Sequence, residues 1–310
     1  MPETVPDQPG VAEAFARLLT GRPVGSVRPT TNGRVDLRDV TAPRPEDVAA
    51  LLPAEQAADV AEGLLFENVR VEGVDFSGAR LDEVGFIDAQ LENCRFDRCV
   101  LTDFVLLGVA VTGCSFDGAD LRRSGLGGWS DSGWTRFSKT SFRGADMRHT
   151  GCVAASFTDV DFSHARLEDV DFMAVSFVRC TFAGPLRRVI FQEPLPGLHG
   201  PDVNPMEEID FSGAALHFVE FRKLELDRVR FPEGNEHVVV HHYPCVLQRA
   251  SRELGLDDPL GAVAANQLRW AHPRRKVGIW HRDQLGETEA ERDEAAARLL
   301  AWDEECAREL

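Results

Sequence analysis

The sequence has little lysine, tyrosine or methionine, and it has no long apolar segment. Its 310 residues include three Lys, one Tyr and four Met, so arginine supplies nearly all of the basic charge. No apolar run approaches the about 18 residues that a membrane-spanning helix needs. Residues 1–7 also lack the basic and apolar regions of a signal peptide. We therefore expect a cytoplasmic protein that makes no contact with a membrane.

Known motifs of catalysis and nucleotide binding are missing too. The sequence contains no Gly-x-x-x-x-Gly-Lys, Gly-x-Gly-x-x-Gly, Gly-x-Ser-x-Gly or His-Glu-x-x-His. The net charge is −17, and the acid excess extends along the whole chain. Direct nucleic-acid binding is disfavoured, because phosphate contacts need a positive surface. We expect no catalytic residues, no cofactor and no metal.

A period of five residues dominates the middle of the sequence. Phe, an aliphatic residue or a similar apolar residue stands at every fifth position, and fifteen of the 19 Phe lie on this lattice. Neither a helix, with a period of 3.6, nor a strand, with a period of 2, explains such a pattern. The lattice comprises Phe66, Val71, Phe76, Leu81, Phe86, Leu91, Phe96, Leu101, Leu106, Val111, Phe116, Leu121 and Leu126, then Phe137 to Phe182, then Phe211 to Phe231.

The position two before each lattice residue is mostly small or β-branched, and the other three positions of each unit are mostly polar. Each unit therefore points two side chains inward and three outward. Four units would make one coil of 20 residues, and stacked coils would pair their backbones about 4.8 Å apart, as strands do. Residues 20 apart then lie above one another, and Phe142, Phe162 and Phe182 match in type as this requires.

Three segments resemble a known repeat. They are Gly-Ala-Asp-Leu-Arg at 118–122, Gly-Ala-Asp-Met-Arg at 144–148 and Val-Asp-Phe-Ser at 160–163. The sequence resembles the pentapeptide-repeat family, whose units read roughly Ala-Asp/Asn-Leu/Phe-x-x, over residues 64–233. The resemblance implies a right-handed quadrilateral β-helix. We therefore expect an all-β core with helical N- and C-terminal flanking segments.

Three regions follow from where the lattice begins and ends. Residues 1–63 should form a partly helical cap, because an open end would leave the core and unpaired strand edges in water. Residues 64–233 should form the β-helix with insertions at 127–136 and 184–207. The second insertion should project as a loop, because its prolines exclude ladder pairing. Residues 234–310 should be mainly helical.

Five of the seven cysteines stand at inward lattice positions, where a free thiol behaves as a small hydrophobe. We expect Cys94 and Cys114 to remain thiols, because parallel neighbours point their side chains the same way. This pattern suits a reducing cytoplasm better than a disulfide framework. The five are Cys94, Cys99, Cys114, Cys152 and Cys180.

The last segment is the clearest helix. Thr288 and Glu291 form a capping box, and an apolar stripe follows at helical spacing. The stripe should pack either on the end of the rod or on a second copy of the chain. We favour a homodimer slightly, because the quinolone-resistance proteins of the resembled family dimerise through their C-termini. The residues assigned to this dimer interface are Leu299, Trp302, Cys306 and Leu310.

Outward carboxylates suggest a function. Acids stacked at 20-residue spacing would give the rod a regular negative field, as phosphates do for duplex DNA. The resembled quinolone-resistance proteins are DNA mimics that bind DNA gyrase, a type II topoisomerase. The resemblance implies a protein-binding rod that protects such an enzyme or gives self-immunity. The candidate partner-binding residues are Glu72, Glu83, Glu92, Asp97, Asp103, Asp117, Asp159, Asp161, Glu168, Asp169, Asp171, Trp129 and Trp134.

Two alternatives stay open. One is a scaffolding rod that binds an unidentified protein through its loops or its C-terminal segment. The other is an enzyme with a site in residues 234–310. A continuous negative stripe would favour mimicry, whereas patches broken by Arg would favour scaffolding. We interpret His237 and His241 as ordinary surface histidines of a strand, and the basic residues 272–276 as members of intramolecular ion pairs.

Overall fold

The centre of the protein is a four-sided β-helix built from parallel strands. The structure is a computed structural model, and it describes residues 10–24, 28–31, 33–60, 63–193 and 204–309. Phe66 pairs in register with Phe86, and Phe86 pairs with Leu106, so successive coils are offset by 20 residues as predicted. The predicted fold class is therefore confirmed.

We number the four sides by their first inward lattice residue: face 1 holds Phe66, face 2 Val71, face 3 Phe76 and face 4 Leu81. On face 1 the strands are Leu65–Glu67, Gly85–Ile87, Val105–Leu107, Gly125–Leu126, Ile190–Gln192 and Glu220–Arg222. On face 2 they are Arg70–Glu72, Gln90–Glu92, Ala110–Thr112 and Gly133–Ser138. On faces 3 and 4 they are Val74–Asp75, Val229–Arg230 and Leu167–Glu168. Strands that turn a corner are Gly151–Thr158, Asp171–Val178, Thr181–Arg187 and Ile209–His217.

Stacked phenylalanine rings fill the core of the rod. On face 3 the rings from Phe76 to Phe211 have centroids 4.8–5.3 Å apart and are nearly parallel. The predicted stacks of Phe66 on Phe86 and of Phe137 on Phe157 are present as well, at 4.9 and 4.7 Å. Each buried ring contributes roughly 1.5–3 kcal/mol, so these columns supply the main stabilisation of the rod.

The first insertion leaves the coil intact. Trp129–Ser130 pairs antiparallel with the start of Gly133–Ser138 and forms a hairpin at the corner between faces 1 and 2. Immediately after it, Phe137 pairs in register with Val111 on one side and with Phe157 on the other. The extra residues therefore project outward from the corner.

The second insertion corrects the sequence prediction for residues 184–207. The ladder continues through Pro185, which pairs with Ala215, and through Phe191, whose ring stacks on Phe172 at 5.2 Å. Phe182 and Leu186 stand four positions apart instead of five, which shifts the lattice by one residue and hides its continuation. Residues 194–203, which hold most of the prolines of the predicted loop, lie outside the described residues.

Helices and a partial coil precede the first full coil. The helices are α1 (Val11–Leu19), α2 (Pro45–Ala49) and α3 (Ala54–Val60). The strands before the first full coil are Arg28–Thr31 and Arg34–Asp36, and the second of these pairs in parallel with Val74–Asp75. The Phe15 ring of α1 lies 5.8 Å from the Phe66 ring, so α1 covers the phenylalanine core at this end of the rod.

A second, smaller core follows the last coil. Its elements are α4 (Tyr243–Glu253), α5 (Pro259–Trp270), a 3-10 turn (Arg282–Gln284), α6 (Glu289–Glu309) and the antiparallel strands His237–Val240 and Gly278–His281. The Thr288 N–H donates to the Glu291 carboxylate at 2.9 Å and the Glu291 N–H donates to Thr288 Oγ1 at 3.3 Å, which together form the predicted capping box. Across the described ranges, no helix combines the length and apolar character needed to cross a membrane.

The stripe of α6 packs inside its own chain, which corrects its assignment to a dimer interface. Leu299 and Cys306 are fully buried, and Trp302 is 7% exposed within the second core. The Trp302 indole donates a hydrogen bond to Glu253 of α4, so this side chain is already bound within its own chain. Leu310 lies outside the described residues.

A disulfide joins Cys306 to Cys245 and ties α6 to α4. This bond corrects the expectation of a chain without disulfides, and it removes the support that the cysteines gave to a reducing compartment. Cys94 and Cys114 are free and buried, as predicted, with the Cys94 N–H 3.4 Å from the Cys114 sulfur. The two paired cysteines lie outside the β-helix, where the lattice argument does not apply.

Candidate functional site

The eleven candidate acids are spread over all four faces. Glu72 and Glu92 are neighbours on face 2, as the sequence predicts. The remaining nine divide among the other faces and the corners. Asp97, Asp117 and Asp161 belong to face 3, Glu168 to face 4, Asp171 to face 1, Glu83, Asp103 and Asp169 to the corner between faces 4 and 1, and Asp159 to the corner between faces 2 and 3.

Arginines in the same or an adjacent coil neutralise most of these carboxylates. Arg188 contacts both Glu168 and Asp169 at 2.6 Å, and this pairing lowers the pKa of Asp169. Arg179 has the same effect on the pKa of Asp159. The other pairs are Arg70 with Glu72 and Glu92, Arg123 with Asp103, and Arg143 with Asp161. Ion pairs with arginine therefore interrupt the negative charge along the rod.

Other candidate acids serve the backbone and the neighbouring coil. Asp97 accepts from the Ser115 hydroxyl and from the Asp117 N–H at 3.2 Å, and Asp117 accepts from the Arg143 N–H at 3.1 Å. Asp171 is exposed at the start of its strand, and desolvation by the surrounding protein raises its pKa. Asp97 and Asp117 therefore connect neighbouring coils through hydrogen bonds.

Face 1 carries outward apolar side chains in its first three coils. We call Leu65, Ile87, Val105 and Leu107 the apolar strip. Leu65 and Val105 are 41% and 38% exposed, and Ile87 and Leu107 are half-buried. Register places Leu65, Gly85 and Val105 in one column and Ile87 above Leu107 in another. Both columns lie on face 1, so the four apolar side chains share one side of the rod.

The tryptophan hairpin, residues 127–136, stands beside this strip. Trp129 is 48% exposed, and Trp134, its cross-strand partner, is half-buried. Asp88 fixes the hairpin by accepting from the Ser130 hydroxyl and from the Ser132 N–H, and the Ser130 bond lowers the pKa of Asp88. The position of Trp129 is thus set by hydrogen bonds to the rod.

Three histidines and an aspartate meet at the seam between the rod and the second core. His217 ends the strand Ile209–His217, His281 ends Gly278–His281, and Asp283 lies in the 3-10 turn. The Asp283 Oδ2 atom is 3.1 Å from His217 Nδ1 and 3.4 Å from His281 Nδ1. His237 packs edge-on against His281, with ring centroids 4.9 Å apart. We call these four residues the histidine cluster.

The histidine cluster was not predicted from the sequence. The interpretation of His237 as an ordinary surface histidine is wrong. His237 accepts the Leu216 N–H at 3.0 Å, and burial together with the neighbouring His281 and His217 lowers its pKa to about 4. His241, by contrast, is exposed as expected. The cluster joins segments more than 60 residues apart, and local spacing carries no signal for that contact.

The basic segment 272–276 forms intramolecular ion pairs, as predicted. Arg274 contacts Glu225 at 2.9 Å, and Lys276 contacts Asp227 at 3.6 Å. Arg275 differs from them because it is 4% exposed and lies at the seam.

The buried Arg275 guanidinium links the two cores. It donates to the Phe221 carbonyl at 2.8 Å and stacks 4.0 Å from the centre of the Tyr243 ring. Desolvation lowers its pKa from the usual arginine value. We find here a cation held by a carbonyl and aromatic rings, a contact that the sequence analysis did not foresee.

Comparisons with known proteins agree with the fold. The sequence model of the pentapeptide repeats matches eight copies in residues 65–103, 135–173 and 155–184. Among curated protein sequences, none matches the chain.

Three solved structures are similar to parts of the chain. HetL, a pentapeptide repeat protein involved in heterocyst differentiation regulation from the cyanobacterium Nostoc, is 15% identical over 56% of this chain and 91% of its own, with a TM-score of 0.29. QnrB1, a plasmid-mediated fluoroquinolone resistance protein, is 16% identical over 60% and 91%, with a TM-score of 0.26. Rfr23 from the cyanobacterium Cyanothece is 14% identical over 44% and 82%, with a TM-score of 0.19. Residues 65–103 and 135–184 thus match the pentapeptide repeats, a family that folds as a right-handed β-helix.

Proposed function

We propose that the protein is a non-catalytic scaffold that binds another protein through the apolar strip and the tryptophan hairpin. The observation that carries this proposal is that the hairpin bearing the exposed Trp129 is fixed to Asp88, at the edge of the face that also exposes Leu65 and Val105. Proteins of this family are generally structural or binding proteins, which supports a role without catalysis. The binding surface belongs to the rigid β-helix and to a hairpin fixed on it.

The chemistry of this surface favours a protein over other partners. Exposed contiguous apolar surface is typical of protein interaction sites. Tryptophan is enriched among the residues that contribute most to binding, because one ring buries a large area with few rotatable bonds. A partner with an apolar patch of similar width would displace water from face 1. Such a contact needs no net charge on either side.

The test is a pair of matched substitutions. The partner is first identified by a photo-crosslinking amino acid at position 129, and its affinity is then measured for purified variants. Trp129→Ser should weaken binding at least 10-fold, since a central tryptophan contributes roughly 2 kcal/mol or more. Phe218→Ser is the control, because Phe218 is 53% exposed at a different corner. Equal losses in both variants, or none in Trp129→Ser, would contradict the proposal.

The second candidate function is DNA mimicry at a type II topoisomerase such as gyrase. Its support is the net charge of −17 and the in-register stacking of Glu72 on Glu92. Against it stand the arginine pairs and the spread of acids over four faces. A supercoiling assay with purified gyrase, with and without a quinolone, separates the two candidates. Inhibition or protection that disappears in Glu72→Gln/Glu92→Gln would favour mimicry, and an unchanged gyrase activity would favour scaffolding.

A further inference from the structure

The histidine cluster has the composition of a metal site and lies where two parts of the molecule meet. His217 and His281 are 15% and 8% exposed in their side chains, and Asp283 is 39% exposed. One ligand atom from each of these three residues falls within 4.8 Å of the other two. We propose that His217, His281 and Asp283 bind one divalent transition-metal ion, and that Zn²⁺ fits them best.

The distances match those of a tetrahedral ion. Two ligands that each lie 2.0–2.1 Å from a tetrahedral zinc are about 3.4 Å from each other. The Asp283 Oδ2 atom is 3.1 Å from His217 Nδ1 and 3.4 Å from His281 Nδ1. The ligand atoms of all three residues lie within 4.8 Å of one another, so one ion could contact all of them after a small adjustment of His217 and Asp283.

The hydrogen bonds favour a cation between these atoms. The Asp283 N–H donates to His281 Nδ1 at 3.2 Å, so this nitrogen carries a lone pair and no proton. That lone pair is the only one on the nitrogen, so a metal ion bound there would replace the hydrogen bond from the Asp283 N–H. The Asp283 Oδ2 atom lies 3.4 Å from the same nitrogen, and a cation between the two atoms would bind both.

The surroundings hold the ligands in place. Arg292 contacts the other carboxylate oxygen, Oδ1, at 3.3 Å and leaves Oδ2 facing the histidines. His237 is fixed by the Leu216 N–H and packs against the His281 ring, which restricts the rotation of that ring. Such supporting contacts orient metal ligands in known sites. The exposed side of Asp283 leaves room for water as a fourth ligand.

The donor set selects the class of metal. Imidazole nitrogen suits Zn²⁺, Cu²⁺, Fe²⁺ and Ni²⁺, whereas Mg²⁺ and Ca²⁺ prefer oxygen ligands. Two histidines and one carboxylate with an open position are a ligand set found at zinc sites. Since His217 belongs to the rod and His281 and Asp283 to the second core, the bound ion would fasten the two together.

The experiment uses the full chain with its disulfide intact, freed of metal by a chelator. Calorimetric titration with ZnCl₂ should give one site per chain, and MgCl₂ should give none. Asp283→Asn and His217→Gln should each weaken zinc binding at least 10-fold. Asp293→Asn is the matched control, because Asp293 is an exposed neighbour that pairs with Arg282 and lies outside the cluster.

Circular dichroism without metal establishes whether each variant is folded. If His217→Gln does not fold, Asp283→Asn decides the outcome, because Asp283 is partly exposed. Cobalt substitution identifies the ligand atoms through the optical spectrum. Weak visible bands without an intense thiolate charge-transfer band would support the proposal. It would be overturned by the absence of saturable zinc binding, by equal affinity in Asp283→Asn, or by thiolate bands that place the metal on cysteine.

Discussion

Replacing Phe162 with alanine tests the phenylalanine column of face 3 at its middle. The Phe162 ring is 1% exposed and lies between Phe142 and Phe182, with centroid distances of 5.3 and 4.8 Å. It also meets Phe157 and Phe172 edge-on, at 5.3 and 6.4 Å. Its removal therefore empties a site that aromatic rings surround above, below and at the sides.

The expected loss is large because the neighbours cannot close the gap. A buried Phe→Ala change costs about 3–5 kcal/mol in unfolding free energy. The upper half of this range applies here, since each lost aromatic pair is worth about 0.5–1.5 kcal/mol beyond burial. The surrounding backbone is held by ladder pairing on both sides, so the cavity cannot collapse. A total stability of about 5–15 kcal/mol, usual for a domain, would fall by a quarter or more.

Urea unfolding followed by circular dichroism measures the loss, and hydrogen exchange locates it. Because coils contact mainly their neighbours, amides near Phe162 should exchange faster while those of α6 stay protected. Phe218→Ala is the control and should change stability by less than about 0.5 kcal/mol, since Phe218 is 53% exposed. A Phe162→Ala variant as stable as this control would refute the inward column.

Two further predictions concern the thiols and the seam. All five free cysteines are buried, and burial raises the pKa of the Cys99 thiol to about 12, so the native protein should not react with a thiol reagent at pH 8. The unfolded chain should show five thiols without reductant and seven with it. More than five without reductant would contradict the Cys245–Cys306 disulfide. Arg275→Ala should lower the unfolding free energy by about 1–3 kcal/mol, because it leaves the buried Phe221 carbonyl without its donor. An unchanged melting temperature would show that this carbonyl is satisfied in another way.

The β-helix could be predicted because the pattern that forms it is contained within each five-residue unit. Each five-residue unit fixes its own inward pair, so the columns of Phe76 and Phe137 follow from counting along the chain. The same counting fails wherever a corner gains or loses a residue. The step of four from Phe182 to Leu186 is such a case, and it made a continuing ladder look like a loop.

The seam was not predictable, because its contacts are between distant segments. Cys245 and Cys306 are 61 residues apart, and nothing near either one marks the other as its partner. The apolar stripe of α6 was recognised, but a stripe does not specify what covers it. His217 and His281 likewise become neighbours only once the second core has folded onto the last coils.

The tryptophan hairpin shows what the corners of this rod tolerate. Phe116 and Phe142 stand 26 residues apart across the insertion, yet their rings stack at 4.9 Å, and Phe96 and Phe116, separated by 20, stack at 4.8 Å. A corner therefore accepts extra residues without transmitting any change to the columns beside it. Foreign peptides grafted at the corners would be displayed at a fixed pitch on a scaffold that needs no redesign. By the same route, a lineage can acquire new recognition loops while its core sequence stays the same.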